Sequence, residues 1–233
     1  MEQMDWSRLM DVKNVADLND VIVNGEFGDL VRINEALHEK KIACIADMIY
    51  HRKDCVKLVL IAGPSSSGKT SFANRLGVQL RVLGIRPHVI SMDDYFINRE
   101  DTPVDEFGKR DYENINCIDI KQFNEDINAL IEGKAVELPS YNFVTGMREY
   151  KGNVIRLKEN EIMIIEGIHG LNDELTPSIK PENKFKIFIS AMTQLNLDNH
   201  KFISTSDSRL LRRIVRDNLS RGNDAAATIS AWP

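Results

Sequence analysis

The spacing of apolar and polar residues divides the chain near residue 55. From Asp29 to about Ile49, apolar residues fall at Leu30, Ile33, Leu37, Ile42, Ile45 and Ile49 with charges between them. That is the pattern of an imperfect amphipathic helix. Asn24-Gly25-Glu26-Phe27-Gly28 before it reads as a turn. At Val56 the period changes: Val56–Ala62 is an almost continuous apolar run of strand length, as in a strand covered on both faces. A glycine-bearing loop follows, then a helix expected from Lys69 to Leu83 with Phe72, Leu76, Leu80 and Leu83 on one face and Gly84 as its stop.

Further along, a short strand is expected at His88–Ser91, loop over the polar stretch Asp93–Asn116, and helix over Ile118–Ile131. Val136–Phe143 and Tyr150–Leu157 are expected to pair as a hairpin across a turn near Gly146. Glu161–Ile165 and Phe185–Ser190 read as buried strands, and Ser208–Leu219 as a helix. Strand and helix alternate, so the expected class is α/β with a mostly parallel sheet flanked by helices. Residues 1–54 carry no chemical motif and are expected to form a helical N-terminal extension to a domain over 55–233. The sequence ends at Ala231-Trp232-Pro233, straight after a helix and with no closing strand, so the expectation is a domain truncated at its C-terminus.

Composition narrows the class further. Thirty Lys+Arg against 35 Asp+Glu give a formal charge of −5, which argues against a chain that coats nucleic acid. With 42% hydrophobic and 28% charged residues it can bury a core. No apolar run reaches the roughly 18 residues of a membrane span, and MEQMDWSRLM lacks the apolar stretch of a secretory signal. Three cysteines without a CxxC spacing disfavour a disulfide framework and a zinc site. A reduced, cytoplasmic, globular protein is expected, with no nucleic-acid or membrane partner and self-association left open.

Gly63-Pro64-Ser65-Ser66-Ser67-Gly68-Lys69-Thr70, followed by Ser71, matches the Walker A pattern in every defined position. Glycines let backbone amides turn inward around a phosphate without a Cβ in the way. Lys69 offers a compact positive charge, Thr70 a hydroxyl for Mg²⁺, and the following helix its positive dipole end. A GTPase would want an Asn-Lys-x-Asp loop, but Asn183-Lys184 continues as Phe185-Lys186. Asp105-Glu106-Phe107-Gly108 imitates a DxxG switch without a preceding apolar strand. A motor ATPase would end its second motif strand in Asp or Asp-Glu, whereas here it ends in Glu166-Gly167. Asp93, in Ser91-Met92-Asp93-Asp94-Tyr95-Phe96, follows the strand after the phosphate-loop helix, at the edge that faces the ligand crevice in a parallel sheet. A carboxylate there can take a hydroxyl proton or reach Mg²⁺; the other reading is a solvated acidic turn.

Together, Walker A, Ser-x-Asp-x-aromatic, Pro139-x-Tyr141-x-Phe143, Glu166-Gly-Ile, Arg212-Arg213-x-x-Arg216-Asp217 and Arg221-Gly occur in an order that resembles the uridine–cytidine kinase branch of the phosphoribulokinase/uridine kinase family, over roughly residues 56–224. The resemblance implies a P-loop kinase fold with a β-hairpin insertion that binds the acceptor. It implies that Asp93 is the catalytic carboxylate, with Asp94 its neighbour, and that Glu166 and Thr70 hold Mg²⁺. Gly63, Ser65, Ser66, Ser67, Gly68, Lys69, Thr70 and Ser71 would then bind ATP or GTP, and Arg213, Arg216 and Arg221 would form a lid on the phosphates.

For the acceptor, the resemblance implies a nucleoside held by Glu113, Tyr141, Phe143 and Arg148. Tyr141 and Phe143 lie two apart on a strand, so both rings point to one face and serve either as a base platform or as a small core. The chain departs from the family pattern at three positions: Glu113 replaces an aspartate, Asn223 a lid arginine, and Gly146 a histidine that reads the base. The last leaves room for a larger base or for water. The implied reaction is transfer of the γ-phosphoryl of ATP or GTP to a nucleoside 5′-hydroxyl, with uridine or cytidine as the first expectation. A kinase for another alcohol or a sugar phosphate, and a nucleotide-binding regulatory module without turnover, remain the alternatives. Some bacterial members of the family carry the kinase behind domains similar to parts of threonyl-tRNA synthetase, and residues 1–54 could be the tail of such a neighbour.

Overall fold

The computed structural model describes residues 10–104, 108 and 110–232. The DxxG-like Asp105-Glu106-Phe107 and the first nine residues of the expected extension lie outside the described residues. The chain packs as two compact units, Cys44–Ile189 and the described parts of Met1–Ala43 with Ser190–Pro233.

The larger unit holds a four-stranded parallel sheet in the order β2-β5-β1-β6: β1 (Leu58–Ala62), β2 (Arg86–Ser91), β5 (Glu161–Glu166) and β6 (Lys184–Phe188). β1 and β5 are buried at every position, which is why β1 and the stretch Ile162–Ile165 of β5 read as apolar runs rather than as an alternation. Leu58 and Leu60 of β1, Met163 and Ile165 of β5 and Ile90 of β2 join Phe123, Ile127 and Leu130 of a helix over Ile120–Ile131 in one core cluster. The helix after the phosphate loop, Lys69–Val82, buries Phe72, Ala73, Leu76, Gly77 and Leu80. At Gly77 it comes so close to β2 that an added Cβ would lie 3.3 Å from Pro87.

The parallel register brings the strand ends to one edge: Ile61 and Ser91 both pair with Glu166, and Ala62 pairs with Phe188. A separate antiparallel hairpin, β3 (Ala135–Asn142) and β4 (Met147–Arg156), turns at Gly146. The polar stretch Asp93–Asn116, expected as loop, contains 3₁₀ turns at Met92–Tyr95, Arg99–Asp101 and Ile115–Cys117. The first is capped by Ser91, whose hydroxyl accepts from the Asp93 amide, and anchored by Tyr95, whose hydroxyl donates to Asp126 at 3.0 Å.

In the other unit, α1 (Val15–Val23) starts at a capping box in which Asn14 accepts from Ala16 and Asp17 amides and Asp17 accepts from the Asn14 amide. This helix has no counterpart in the apolar pattern read above. α2 (Phe27–Tyr50) is the amphipathic helix, and its last turns belong to the larger unit. With the phosphate-loop helix as α3 and Ile120–Ile131 as α4, the C-terminal part forms α5 (Thr205–Ser220) and α6 (Ala225–Ser230), each opened by a side-chain cap, Ser204 and Asp224. No helix among the described residues is long and apolar enough to cross a membrane.

Candidate active site

The Walker A segment forms a tight concave turn between β1 and α3. Gly68 takes φ 94° and Ser66 φ 60°, both left-handed, and the Ser67 amide closes on the Pro64 carbonyl at 3.2 Å. A non-glycine residue held left-handed costs on the order of 1–3 kcal/mol, so the surrounding packing must impose it. Part of that packing is Gly63, where a Cβ would meet the Ile189 carbonyl at 2.6 Å. The Ser66 and Ser67 hydroxyls are buried without a hydrogen-bond partner among the described residues, an arrangement suited to a bound group rich in acceptor oxygens. Lys69 Nζ donates to the Pro64 carbonyl at 3.2 Å, which curls its side chain back over the loop.

Next to this cradle, Thr70 Oγ1 donates to Glu166 Oε1 at 2.8 Å and Ser91 Oγ donates to the same oxygen at 3.3 Å. Burial pushes the Glu166 carboxyl above the usual carboxylate range, the Asp93 charge adds to that, and Thr70, Lys69 and Ser91 oppose it. Asp93 thus lies close enough to Glu166 to repel it, and the two acids share the strand-end edge with the phosphate loop.

The hairpin is tied to the same region through the neighbouring acid. Asp94 Oδ1 accepts from the Tyr141 amide at 3.1 Å, and its burial holds the carboxyl above its ordinary value. Tyr141 is only 7% exposed. It packs edge-on against Phe143 (centroids 5.1 Å apart) and Phe96 (5.5 Å), so the pair closes a small aromatic cluster instead of lying as two parallel plates. Arg148 Nη1 and Nη2 both donate to Asp119 Oδ2 at 3.0 Å, locking it to the N-cap of α4. Glu113 is on an exposed turn whose amide bonds Asp111 Oδ1 at 3.0 Å.

In the smaller unit, the three family-matched arginines converge on one carboxylate. Asp217 is 2% exposed, with Arg216 Nη2 at 2.8 Å, Arg213 Nε at 3.4 Å and Arg221 Nε at 3.7 Å. Trp232 stacks over the guanidinium groups of Arg209 and Arg213 at 5.1 and 5.6 Å. The other side of α5 leaves Leu211, Val215 and Leu219 exposed.

A model of the Phosphoribulokinase / Uridine kinase family matches residues 58–233. The chain belongs to that family. Among its relatives, the uridine kinase of Proteus mirabilis is 32% identical over 178 residues, covering 75% of each protein. The uridine kinase of Halobacterium salinarum is 27% identical over 173 residues, 74% of this chain and 67% of that protein. Among solved structures, one described as a possible uridine kinase from Bacillus stearothermophilus superposes with a TM-score of 0.52 at 24% identity, over 74% of this chain and 91% of that one. That likeness concerns the fold, and agrees with the α/β architecture and parallel sheet described above.

Set against the family motifs, the larger unit gathers the Walker A residues, Thr70, Glu166 and Asp93 at one sheet edge, while Tyr141 and Phe143 sit on the hairpin joined to it by Asp94. Arg148 is committed to Asp119. Reading the sequence missed Ser91 as a Glu166 partner, Asp94 as the hairpin anchor, Phe96 in the aromatic cluster and Asp217 as the arginine hub. Only Ser91 and Asp217 left a signal, as the cap before Asp93 and the acid that ends Arg-Arg-x-x-Arg-Asp.

Proposed function

We propose that this chain is a P-loop kinase that transfers the γ-phosphoryl group of ATP or GTP to the 5′-hydroxyl of a nucleoside, with uridine or cytidine as acceptor. The observation that carries this reading is the contact of Thr70 with Glu166 at the mouth of the phosphate loop, with Asp93 beside it. One hydroxyl and one carboxylate are the donor set that Mg²⁺ accepts while keeping water and phosphate oxygens. Among the described residues no group of three or more His, Cys, Asp or Glu side chains is disposed to hold a metal by itself, so the fit is to a metal that arrives with the nucleotide. Thr70 and Glu166 would hold Mg²⁺, which neutralises charge on the phosphates when bound. The unpartnered Ser66 and Ser67 hydroxyls and the Gly63 cradle fit the phosphate chain itself.

In this reading Lys69 and the loop amides from Gly63 to Ser71 grip the phosphates. Asp93 accepts the proton of the attacking hydroxyl as the new O–P bond forms, and the bond from phosphorus to the bridging oxygen breaks to release ADP or GDP with the electron pair. Arg213, Arg216 and Arg221 supply positive charge for the equatorial oxygens. Glu113 and the Tyr141–Phe143 cluster contact the acceptor, and Arg148, through Asp119, keeps β4 in place beside it.

The test is nucleoside-dependent ADP or GDP release in Mg²⁺ buffer, with the mass of the product recorded across a panel of nucleosides, sugar phosphates and simple alcohols. Gain of one phosphoryl group by a nucleoside supports the reading. Phosphorylation of only a sugar phosphate or alcohol overturns the acceptor class, and nucleotide binding without any turnover overturns the enzyme.

A further inference from the structure

Gly146 is buried at the tip of the hairpin with φ +73°, and what buries it is Arg99. A Cβ built at Gly146 would lie 2.6 Å from Arg99 Nε, 2.8 Å from its Cβ and 2.9 Å from Cζ. The contact is fastened by two hydrogen bonds. The Arg99 amide donates to the Gly146 carbonyl at 2.8 Å and Nη2 donates to the Phe143 carbonyl at 2.5 Å. Burial raises the Tyr141 hydroxyl above its ordinary value, and the nearby Arg99 charge opposes that rise. The guanidinium therefore fills the volume a side chain at position 146 would take, against the Phe143 carbonyl and close enough to Tyr141 for its charge to act on that hydroxyl.

A guanidinium is a cation with five N–H donors and no acceptor, and it does not lose its proton in a protein. The Phe143 carbonyl engages one of those donors. A ligand group brought against the rest is held if it offers an oxygen, and is rejected if it offers another N–H, because two donors then face each other with neither paired. Resting on the nucleoside-kinase reading above, we propose that Arg99 is the specificity-determining residue of the acceptor site, facing position 4 of the pyrimidine and selecting a 4-oxo base (uracil) over a 4-amino base (cytosine).

The experiment compares kcat/KM for uridine and cytidine in the full chain and in Arg99→Lys, Arg99→Gln and Arg99→Met. The unsubstituted protein is expected to favour uridine by on the order of 10- to 100-fold, as for a hydrogen bond to a charged group. Arg99→Lys, still donor-only, should keep the preference. Arg99→Gln, whose amide can donate or accept, and Arg99→Met should bring the ratio near one. Because Arg99 also holds the turn, the unsubstituted protein is assayed as well with the pyrimidin-2-one riboside, which carries hydrogen in place of the 4-oxo group. Its kcat/KM should fall at least tenfold below that of uridine.

A ratio near one in the unsubstituted protein, an unchanged ratio in Arg99→Gln or Arg99→Met, or equal use of the riboside overturns the role of Arg99 while leaving the kinase reading intact. Absence of phosphorylation with any nucleoside overturns the acceptor reading, and this inference with it.

Discussion

The Tyr141 amide donates to Asp94 Oδ1 at 3.1 Å, so the acid next to Asp93 is committed to the hairpin. Two adjacent carboxylates in one 3₁₀ turn thereby take different tasks. Asp94 is half-buried and bonded to β3, and Asp93 is near enough to Glu166 for its charge to raise the Glu166 carboxyl. The turn itself is held by the Ser91 cap and by Tyr95 on Asp126, so neither acid is free to exchange places with the other.

Substitution of each acid separates these tasks. Asp93→Asn should abolish turnover while leaving nucleotide affinity, read by calorimetry, nearly unchanged. Asp94→Ala should leave the phosphate loop intact but strand the buried Tyr141 amide at a cost of about 1–3 kcal/mol. It should raise KM for the acceptor more than KM for the nucleotide. Loss of nucleotide binding in Asp93→Asn would remove that residue from the chemical step.

Metal dependence should follow Glu166 and, through it, Ser91. Glu166→Gln keeps a partner for Thr70 but removes the charge, so activity should need far more Mg²⁺ and stay low at saturation. Ser91→Ala removes one partner of Glu166 and also the cap of the turn that carries Asp93, so the Mg²⁺ concentration for half activity should rise about tenfold and kcat at saturation should fall with it. A Mg²⁺ titration of initial rate checks both. An unchanged titration in Glu166→Gln would mean that the metal is held elsewhere.

Asp217→Asn leaves three guanidinium groups around a neutral side chain that is 2% exposed. Removing one partner of a buried ion cluster costs about 3 kcal/mol. Hydrogen exchange should therefore speed up across Thr205–Ser220, whereas protection of β1 and β5 should hold. Equal protection of α5 in both proteins would show that the arginines do not depend on Asp217.

Asp126 offers a pH readout away from the phosphate loop. Burial raises its carboxyl above the ordinary value, against the opposing hydrogen bonds from Gln122 and Tyr95. The native state therefore keeps a proton that the unfolded chain gives up. That contribution is complete below the unfolded value and is lost as pH rises through the folded one. Asp126→Asn should gain stability relative to the unsubstituted protein as pH is raised from 4 to 7, measured by urea midpoints; a constant difference would exclude the shift.

Several of these relationships leave no trace along the chain. β1 and β5 were legible because strands covered on both faces must be apolar throughout, and α4 because its buried residues recur at helical spacing. Walker A was legible because its function is carried by contiguous residues. α5 shows where periodicity stops: Arg213 and Arg216 on one side, Leu211 and Val215 on the other, are plain in the sequence. It is nonetheless the arginine side that packs around a buried acid while the apolar residues stay exposed. α1 opens at a capping box, and its apolar positions Val15, Leu18 and Val21 are only half-buried, with none of its residues fully buried.

By itself, the sequence determined the order of strand, phosphate loop and helix, the α/β class, and the presence of an acid after β2 and another after β5. Each of these depends on neighbours within a few residues, or on a period that a single element imposes. Tertiary structure alone decided that Asp94 anchors the hairpin, that Tyr141 is buried edge-on against Phe96 and Phe143, and that Arg99 occupies the space above Gly146. Those contacts join segments some 45 residues apart or more in several cases, and they form only when β3 and β4 fold back onto the turn after β2, since a pattern along one chain cannot specify which distant side chain will fill a gap.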